Sequence, residues 1–282
     1  MILHVENGRL GNLLFQYIGL KKYFPKHKLI FIGFNNLKEF FDNVNANFFV
    51  IKNINQIFFR ILKFTIFFLV KIRLLGVIFE NGNLKNYKIN IKKGLLWWIL
   101  VSYDIFFQHK DVIKQINNPP VLKSRVIKKA INWFKKNRID FGKRMIVFVH
   151  FRRGDYLQYP SKEFPAVLDI SWYERTMKLM KKNLSNPIFI LMSEDQHYLK
   201  NIFRNSRSIV ISNNKLEIDL SIMSLCSAGI LSPSSFSWWG AFYAKIFNKS
   251  NNFFIAPKYW IGHRIKKWKP ENFYAQWIKY VD

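Results

Sequence analysis

A chain of 282 residues, of which 50% are hydrophobic and 18% aromatic, can bury a sizeable core, which excludes a disordered or low-complexity protein. Its 45 lysines and arginines against 17 aspartates and glutamates give a formal charge of +28, which favours anionic partners, although a compositionally biased genome explains it equally well. The single cysteine, Cys226, excludes an internal disulfide and suits a reducing compartment.

Targeting and membrane-spanning segments are not apparent in the sequence. Residues 1–6 have no basic region followed by a long apolar run, so no signal peptide is expected. No stretch reaches the roughly 18 uncharged apolar residues that a spanning helix needs. We therefore expect a cytoplasmic protein.

The first elements follow the order strand, glycine turn, helix, strand. Residues 2–5 and 28–32 predict strands, and residues 13–24 predict a helix that ends before a proline. This order is typical of the start of a doubly wound α/β domain. The turn carries Gly8 and Gly11, a pattern that a plain tight turn also explains.

Residues 55–80 combine aromatic and aliphatic residues with basic ones and predict a helix. The basic residues are Arg60, Lys63, Lys71 and Arg73. Such a helix fits a membrane interface. The preferred interpretation is a buried helix whose basic side chains extend to solvent. Residues 95–107, which include two tryptophans, are its expected core partner.

The middle of the chain predicts a link between two halves. Residues 117–120, Asn-Asn-Pro-Pro, break any regular element. A basic amphipathic helix is expected at 121–137. The predicted domains are residues 1–138 and 139–282.

A dense polar cluster follows a predicted buried strand at residues 145–149. His150, Arg152, Arg153 and Asp155 lie within six residues, and Gly154 marks a turn. Ligands of open parallel sheets bind at the carboxyl ends of strands, and two adjacent arginines can form a planar fork for a diphosphate. Solvated surface arginines beside a buried histidine are the alternative, which explains so dense a cluster less well.

The second half alternates predicted strands and helices, which favours a parallel α/β domain. The strands are expected at 187–192, 208–211, 229–231 and 252–255, and the helices at 171–182, 196–203, 217–226 and 238–247. Ser171 and Glu174 predict a capping box. Polar turns at 193–195 and 232–237 follow two strands, and serines at a helix start bind anions or simply cap the helix.

Three separate stretches, in family order, resemble the α-1,2-fucosyltransferases of glycosyltransferase family eleven. They are Gly8-Arg9-Leu10-Gly11-Asn12 with Phe15-Gln16-Tyr17, His150-x-Arg152-Arg153-Gly154-Asp155-Tyr156, and Ser234-Ser235-Phe236-Ser237-Trp238-Trp239-Gly240-Ala241. Asp219-Leu220-x-x-Met223-x-x-Cys226 and Ile255-Ala256-Pro257-Lys258-x-Trp260 also fit. The chain departs from the family pattern at Leu13, Glu194 and Pro233.

The resemblance implies two Rossmann-like α/β domains in a GT-B-type architecture. Residues 1–138 would form the acceptor side and residues 139–282 would bind GDP-fucose. The implied reaction moves L-fucose, with inversion, from GDP-fucose to a galactoside hydroxyl, in an α-1,2 linkage. The expected role is synthesis of a surface glycan such as O-antigen, on an acceptor with terminal β-galactose.

The resemblance also assigns roles to single residues. Guanine would contact His150 and Asp195, and the other donor-binding residues would be Arg152, Arg153, Ser234, Ser235, Phe236 and Gly11. The candidate catalytic residues are Arg152, Asp155, Glu163 and Asn12. The proton acceptor is Asp155 or, as runner-up, Glu163, unless no strong base is used. The sequence contains no Asp-x-Asp, so the arginines are expected to replace a metal, with no cofactor besides the co-substrate.

Three alternatives stay open. The same scaffold could use another nucleotide sugar. The chain could instead be a non-catalytic nucleic-acid-binding protein, although its aromatic residues cluster in apolar runs rather than among basic residues, so no nucleic acid is expected. A membrane-surface protein is the third alternative, and the predicted helix at 55–80 makes peripheral contact with an anionic membrane an expectation for an enzyme too.

Overall fold

The computed structural model describes residues 1–33, 36–50, 56–81, 87–102, 104–140, 144–203, 206, 208–248, 252–270 and 273–282. Its internal contacts divide the chain into two compact units, Met1–Val121 and Leu122–Asp282. No helix in these described ranges is long and apolar enough to cross a membrane.

The first unit is an α/β domain around a six-stranded sheet. Its elements are β1 (Ile2–Val5), α1 (Leu10–Tyr23), β2 (Leu29–Gly33), α2 (Asn36–Phe40), β3 (Phe41–Asp42), β4 (Asn47–Val50), α3 (Gln56–Lys71), β5 (Leu75–Asn81), β6 (Lys88–Lys92), β7 (Leu96–Ser102) and α4 (Lys110–Ile113). The sheet order is β4-β2-β1-β7-β5-β6, and only the β5–β6 pair is antiparallel among these strands. The two-residue strand β8 (Val121–Leu122) lies at the division between the units.

The predicted helix at 55–80 is confirmed only in its first part. Helix α3 ends at Lys71, Arg73 adopts a left-handed φ of 59°, and β5 follows. The buried side chains of Leu75 and Ile78 in β5 explain the change, because they are stabilised in the sheet rather than on a helix face. The expected core partner is confirmed, since Val101 and other β7 residues pack in one cluster with Ile66 of α3.

The second unit is a fully parallel doubly wound domain in its described strands. Its elements are α5 (Ser124–Lys136), β9 (Ile146–Phe151), the 3-10 turn η1 (Gly154–Leu157), α6 (Ile170–Asn183), β10 (Ile188–Ser193), α7 (Gln196–Ile202), β11 (Ile209–Ile211), α8 (Leu216–Leu225), β12 (Ala228–Ile230), α9 (Ser235–Phe247), β13 (Phe253–Pro257), η2 (His263–Ile265) and β14 (Ile278–Val281). The sheet order is β11-β10-β9-β12-β13-β14. This is the strand order of a Rossmann domain, in which chain direction across the sheet reverses between β9 and β12.

Two local expectations differ from the structure. The units divide after Val121 rather than after residue 138, because α5 packs against α8 of the second unit. The predicted capping box at Ser171 is wrong, because α6 begins at Ile170 and Asp169 occupies the N-cap position.

Candidate functional site

The point where the strand order of the second unit reverses carries most of the predicted site residues. Strands β9 and β12 are neighbours there, with Val149 in register with Ile230. The Nδ1 atom of His150, near the end of β9, lies 2.7 Å from the hydroxyl of Ser232, just past the end of β12. Both side chains are buried. The arginine turn that follows β9 and the serine turn that follows β12 therefore adjoin at the edge where doubly wound domains bind ligands.

Arg152 is held in place by carboxylates. Its Nη2 atom donates to Asp155 Oδ1 at 2.6 Å, and its Nη1 atom lies 3.4 Å from Glu194 Oε1. The guanidinium lies over the ring of Tyr156, and only 10% of the side chain is exposed. Its Nε atom is buried and has no hydrogen-bond partner among the described residues. A rigid guanidinium with unused donor capacity at a strand end is suited to an anionic ligand.

Arg153 is fixed independently. Its Nε atom lies 3.2 Å from Asp195 Oδ2, and its guanidinium stacks on the ring of Tyr198 at 3.5 Å. The other oxygen of Asp195 caps α7, because Oδ1 accepts from the backbone N–H of Tyr198 at 3.0 Å. Asp195 therefore caps a helix and holds an arginine at the same time.

Glu194 organises the arginine turn, a role that the sequence analysis did not assign to it. Its Oε1 atom accepts from the backbone N–H of Arg153 at 3.2 Å and lies near the Arg152 guanidinium. Gly154, with a φ of +37°, makes this approach possible, because a Cβ there would lie 2.9 Å from the same oxygen. The only local signal was the position of Glu194 next to Asp195, since the contact spans two separate strands.

For the transfer reaction that the resemblance implies, we expect Glu194→Ala to lower kcat/KM by roughly tenfold, because a hydrogen bond to a charged group contributes about 1.5–3 kcal/mol and this one is partly exposed. Glu194→Gln keeps an acceptor for the Arg153 N–H and should recover part of the loss. Steady-state kinetics with separate kcat and KM measure the effect, with Glu174→Gln on the exposed side of α6 as the matched control. Parent-like kinetics of Glu194→Ala would contradict this positioning role.

The N-terminus of α9 lies on the other side of the site. Ser234 is its N-cap, and the Ser234 hydroxyl accepts from the backbone N–H of Phe236 at 3.3 Å. The Ser237 hydroxyl donates to the carbonyls of Ser232 and Ser234, both at 3.0 Å, which fixes the turn. Ser235 and Phe236 are half-buried, and the Phe236 ring lies 5.5 Å from the His150 ring. The start of this 13-residue helix is an electropositive site next to His150.

Gly11 and Asn12 lie in the first turn of α1, in the first unit. Gly11 is buried, and Asn12 Oδ1 accepts from Gln108 Nε2 at 2.9 Å. Gly8 has a φ of +91°, and a Cβ there would overlap Asn12, so a glycine is required.

Gln16 explains another part of the same motif. Gln16 is buried, and it donates to the Asn7 carbonyl at 3.1 Å and contacts His4 Nε2 at 3.1 Å. Burial lowers the pKa of His4 to about 4, so this histidine is neutral near pH 7. Its Nδ1 atom contacts the Ser102 hydroxyl at 2.8 Å, and the network braces the turn at Asn7 from inside the domain.

The candidate proton acceptors differ in their surroundings. Asp155 is engaged with Arg152, as described above, although 55% of its side chain is exposed. Glu163 is exposed on the loop between η1 and α6, and its carboxylate has no hydrogen-bond partner among the described residues. The structure thus brings Asp155, but not Glu163, into the arginine cluster.

Asp219, in the first turn of α8, is a perturbed carboxyl group that was not assigned a role. Burial raises its pKa to about 7, although hydrogen bonds from Ser212 and Asn214 oppose the shift. A raised pKa means that the folded state holds the proton more tightly, so stability should fall as the pH rises from about 4 to about 7. Asp219→Asn should flatten this part of the profile of unfolding free energy in urea. An unchanged slope in the variant would contradict the shift.

Solved structures with low sequence identity share this fold. POFUT1 in complex with GDP superposes with a TM-score of 0.55 at 12% identity, over 90% of this chain and 97% of that chain. A glycosyl transferase family 9 protein of Veillonella parvula gives a TM-score of 0.52 at 9% identity, over 95% of this chain and 84% of that one. The fold is therefore α/β with two Rossmann-like units, of the GT-B type, as the resemblance implied.

Curated relatives match by sequence over part of their length. The O-antigen biosynthesis glycosyltransferase WbnK of Escherichia coli is 27% identical over 190 residues, 64% of this chain and 59% of the relative. An alpha-1,2-colitosyltransferase of Escherichia coli is 29% identical, over 55% of this chain and 52% of the relative. Galactoside alpha-(1,2)-fucosyltransferase 1 of Oryctolagus cuniculus is 26% identical, over 49% of this chain and 39% of the relative.

The chain thus matches about half the length of these relatives. The family model described as Glycosyl transferase family 11 covers more of the chain, since it matches residues 18–281. Two of the three motifs that carried the resemblance, the arginine cluster and the serine turn, lie wholly inside that match and adjoin in the structure. The chain belongs to glycosyl transferase family 11.

Proposed function

We propose that this protein is an inverting fucosyltransferase that moves L-fucose from GDP-fucose to a hydroxyl of a galactoside, with an α-1,2 linkage, in the synthesis of a surface glycan such as O-antigen. The observation that carries the proposal is the arginine pair beside the α9 N-terminus, linked by the His150–Ser232 contact. The relatives named for O-antigen synthesis and for α-1,2 transfer support the linkage and the role. A cytoplasmic location is part of the same proposal.

The chemistry of such a transfer needs charge stabilisation. When the bond between fucose and GDP breaks, negative charge develops on the leaving diphosphate. The guanidinium groups of Arg152 and Arg153 and the serine-rich start of α9 would stabilise that charge, with Ser234 and Ser235 at the phosphate. The two arginines are already held by Asp155, Glu194 and Asp195, so little reorganisation of them is needed.

The proton of the acceptor hydroxyl needs a destination. Asp155 orients Arg152 and is the carboxylate nearest to it in the cluster. It could also accept the proton only if bound substrate displaced its contact with Arg152. Glu163 is exposed, and a bound acceptor would have to reach its carboxylate. Asn12 and Gly11 belong to the proposal as residues of the first unit that contact the substrates.

The test is calorimetry with GDP, GDP-fucose, GDP-mannose and UDP-galactose, followed by product analysis with a β-galactoside. We expect GDP and GDP-fucose to bind and UDP-galactose to fail. Binding of UDP-galactose without binding of GDP would overturn the choice of donor. Fucose transfer to a position other than the 2-hydroxyl would overturn the linkage alone.

A second candidate donor carries colitose instead of fucose. The 29% identical relative from Escherichia coli is named an alpha-1,2-colitosyltransferase. Colitose is fucose without its 3-hydroxyl, so the two donors share the nucleotide and most of the sugar. Competition between the two donors in one reaction gives the ratio of their kcat/KM values and decides between them.

We expect the activity to survive an excess of EDTA. The sequence has no Asp-x-Asp pair, and two fixed guanidinium groups supply the positive charge that a metal would otherwise provide. Fucose release from GDP-fucose is measured with and without the chelator, with a metal-dependent glycosyltransferase treated in parallel. Loss of activity that magnesium or manganese restores would show that the arginines are insufficient.

A further inference from the structure

Helix α3 of the first unit has two apolar faces, and only one of them packs against other residues that the structure describes. Its inner face packs on the sheet, where Ile66 is buried and Leu62 and Leu69 pack in the same cluster. The opposite face presents a row of exposed apolar side chains. They are Ile57, Ile61, Phe64 and Phe68, with exposed fractions of 58%, 57%, 71% and 50%. Their spacing of three or four residues places them in one stripe along the helix.

The stripe continues past the end of the helix. The backbone N–H of Leu95 donates to the carbonyl of Arg73 at 2.8 Å, so Leu95 adjoins the C-terminal end of α3. The Leu95 side chain is 76% exposed and that of Trp97 is 63% exposed. Trp97 lies two residues after Leu95 and directly follows Leu96, which packs in the cluster under α3. We call these six residues, Ile57, Ile61, Phe64, Phe68, Leu95 and Trp97, the apolar strip.

The charged residues of α3 and of the chain segments next to it are all basic. Residues 43–79 of the sequence contain no aspartate or glutamate. Arg60 and Lys71 are exposed and lie on the same edge of the stripe, one helical turn from Phe64 and Phe68 respectively. An apolar strip with a basic edge is complementary to a surface that is anionic outside and apolar beneath.

This charge pattern also argues against a second copy of the chain as the occupant. Two copies that paired through the apolar strip would bring Arg60 and Lys71 close to the same cations of the partner copy. Like charges across an interface destabilise it. A neutral apolar partner would leave the basic edge without a function.

We propose that the apolar strip is a docking surface for an anionic lipid bilayer. Phe64 and Phe68 would enter the boundary between headgroups and acyl chains, Trp97 would lie at headgroup level, and Arg60 and Lys71 would contact lipid phosphates. Docking would hold the first unit at the membrane surface. The proposal goes beyond the transfer reaction and does not depend on the identity of the sugar.

The test is co-sedimentation of the full chain with two kinds of vesicle, phosphatidylcholine alone and phosphatidylcholine mixed with phosphatidylglycerol. We expect binding to the mixed vesicles that weakens with added salt, because the contacts are screened. Phe64→Ser/Phe68→Ser should lower the partition coefficient about tenfold or more, since each substitution removes an aromatic ring that would be buried in the bilayer. Arg60→Glu/Lys71→Glu should lower it about tenfold or more on anionic vesicles only.

Matched controls separate the strip from the overall charge. Lys128→Glu/Lys136→Glu on the exposed side of α5 changes the net charge by the same amount and should retain most of the binding. Ile246→Ser removes an exposed apolar side chain from α9 and should have no effect. Circular dichroism checks that each variant is folded, which is expected because the substituted side chains are exposed.

Three outcomes would overturn the proposal. One is equal binding to both kinds of vesicle. Another is an equal loss in the α3 and α5 charge variants, which would assign the attraction to net charge alone. The third is absence of vesicle binding together with a dimer, seen by light scattering, that Phe64→Ser/Phe68→Ser dissociates, since a second copy would then cover the strip.

Discussion

Replacing Arg152 by alanine is expected to lower kcat/KM by about two to three orders of magnitude, which corresponds to roughly 3–4 kcal/mol of lost transition-state stabilisation. The Arg152 side chain is almost wholly buried and would face a diphosphate that gains charge in the reaction. Its loss also leaves Asp155 and Glu194 without their common cation, which adds repulsion toward an anionic ligand. Arg152→Lys should recover little, because a lysine has no planar fork to contact two carboxylates and a phosphate together.

The measurement is initial rates of fucose transfer, with GDP affinity determined separately by calorimetry. Arg175→Ala, an arginine on the exposed side of α6, is the control. Thermal unfolding identifies any variant that fails for lack of stability. Near-parent turnover in folded Arg152→Ala would exclude this arginine from the reaction and, with it, the arginine-based account of metal independence.

The second large effect is expected at Asp195. If its carboxylate accepts the N1–H and N2–H donors of guanine, Asp195→Asn should weaken GDP binding by about 1.5–3 kcal/mol, the range for a hydrogen bond to a charged group. ADP binds without these contacts and should change much less. Asparagine is also a good N-cap, so α7 should keep its start.

Asp195 also holds Arg153, because its Oδ2 atom lies 3.2 Å from Arg153 Nε. Loss of that contact would weaken every nucleoside diphosphate, whereas loss of a guanine contact would weaken GDP alone. Inosine diphosphate, whose base lacks the 2-amino group, makes the distinction sharper. The parent should prefer GDP over inosine diphosphate, and Asp195→Asn should lose that preference. A preference that survives in the variant would assign guanine recognition to another residue.

The sequence by itself determined most elements of the second unit and three of its site segments. A continuous apolar run predicted β9, because a strand buried on both faces needs such a run, and polar residues directly after β9, β10 and β12 located the site segments. The resemblance added roles for His150, Arg152 and Ser234, since motif matches carry information that hydrophobic periodicity does not.

Only the tertiary structure decided how these segments combine. The order of six parallel strands, with its reversal between β9 and β12, depends on pairings between residues about 80 positions apart, which no local pattern encodes. Glu194 became visible as a positioning group only when β9 and β10 were side by side. The exposure of α3 was also decided by the tertiary structure, because the sequence pattern of an apolar helix does not show whether one face or both faces are covered. Packing against the sheet covers one face and leaves the face with Phe64 exposed.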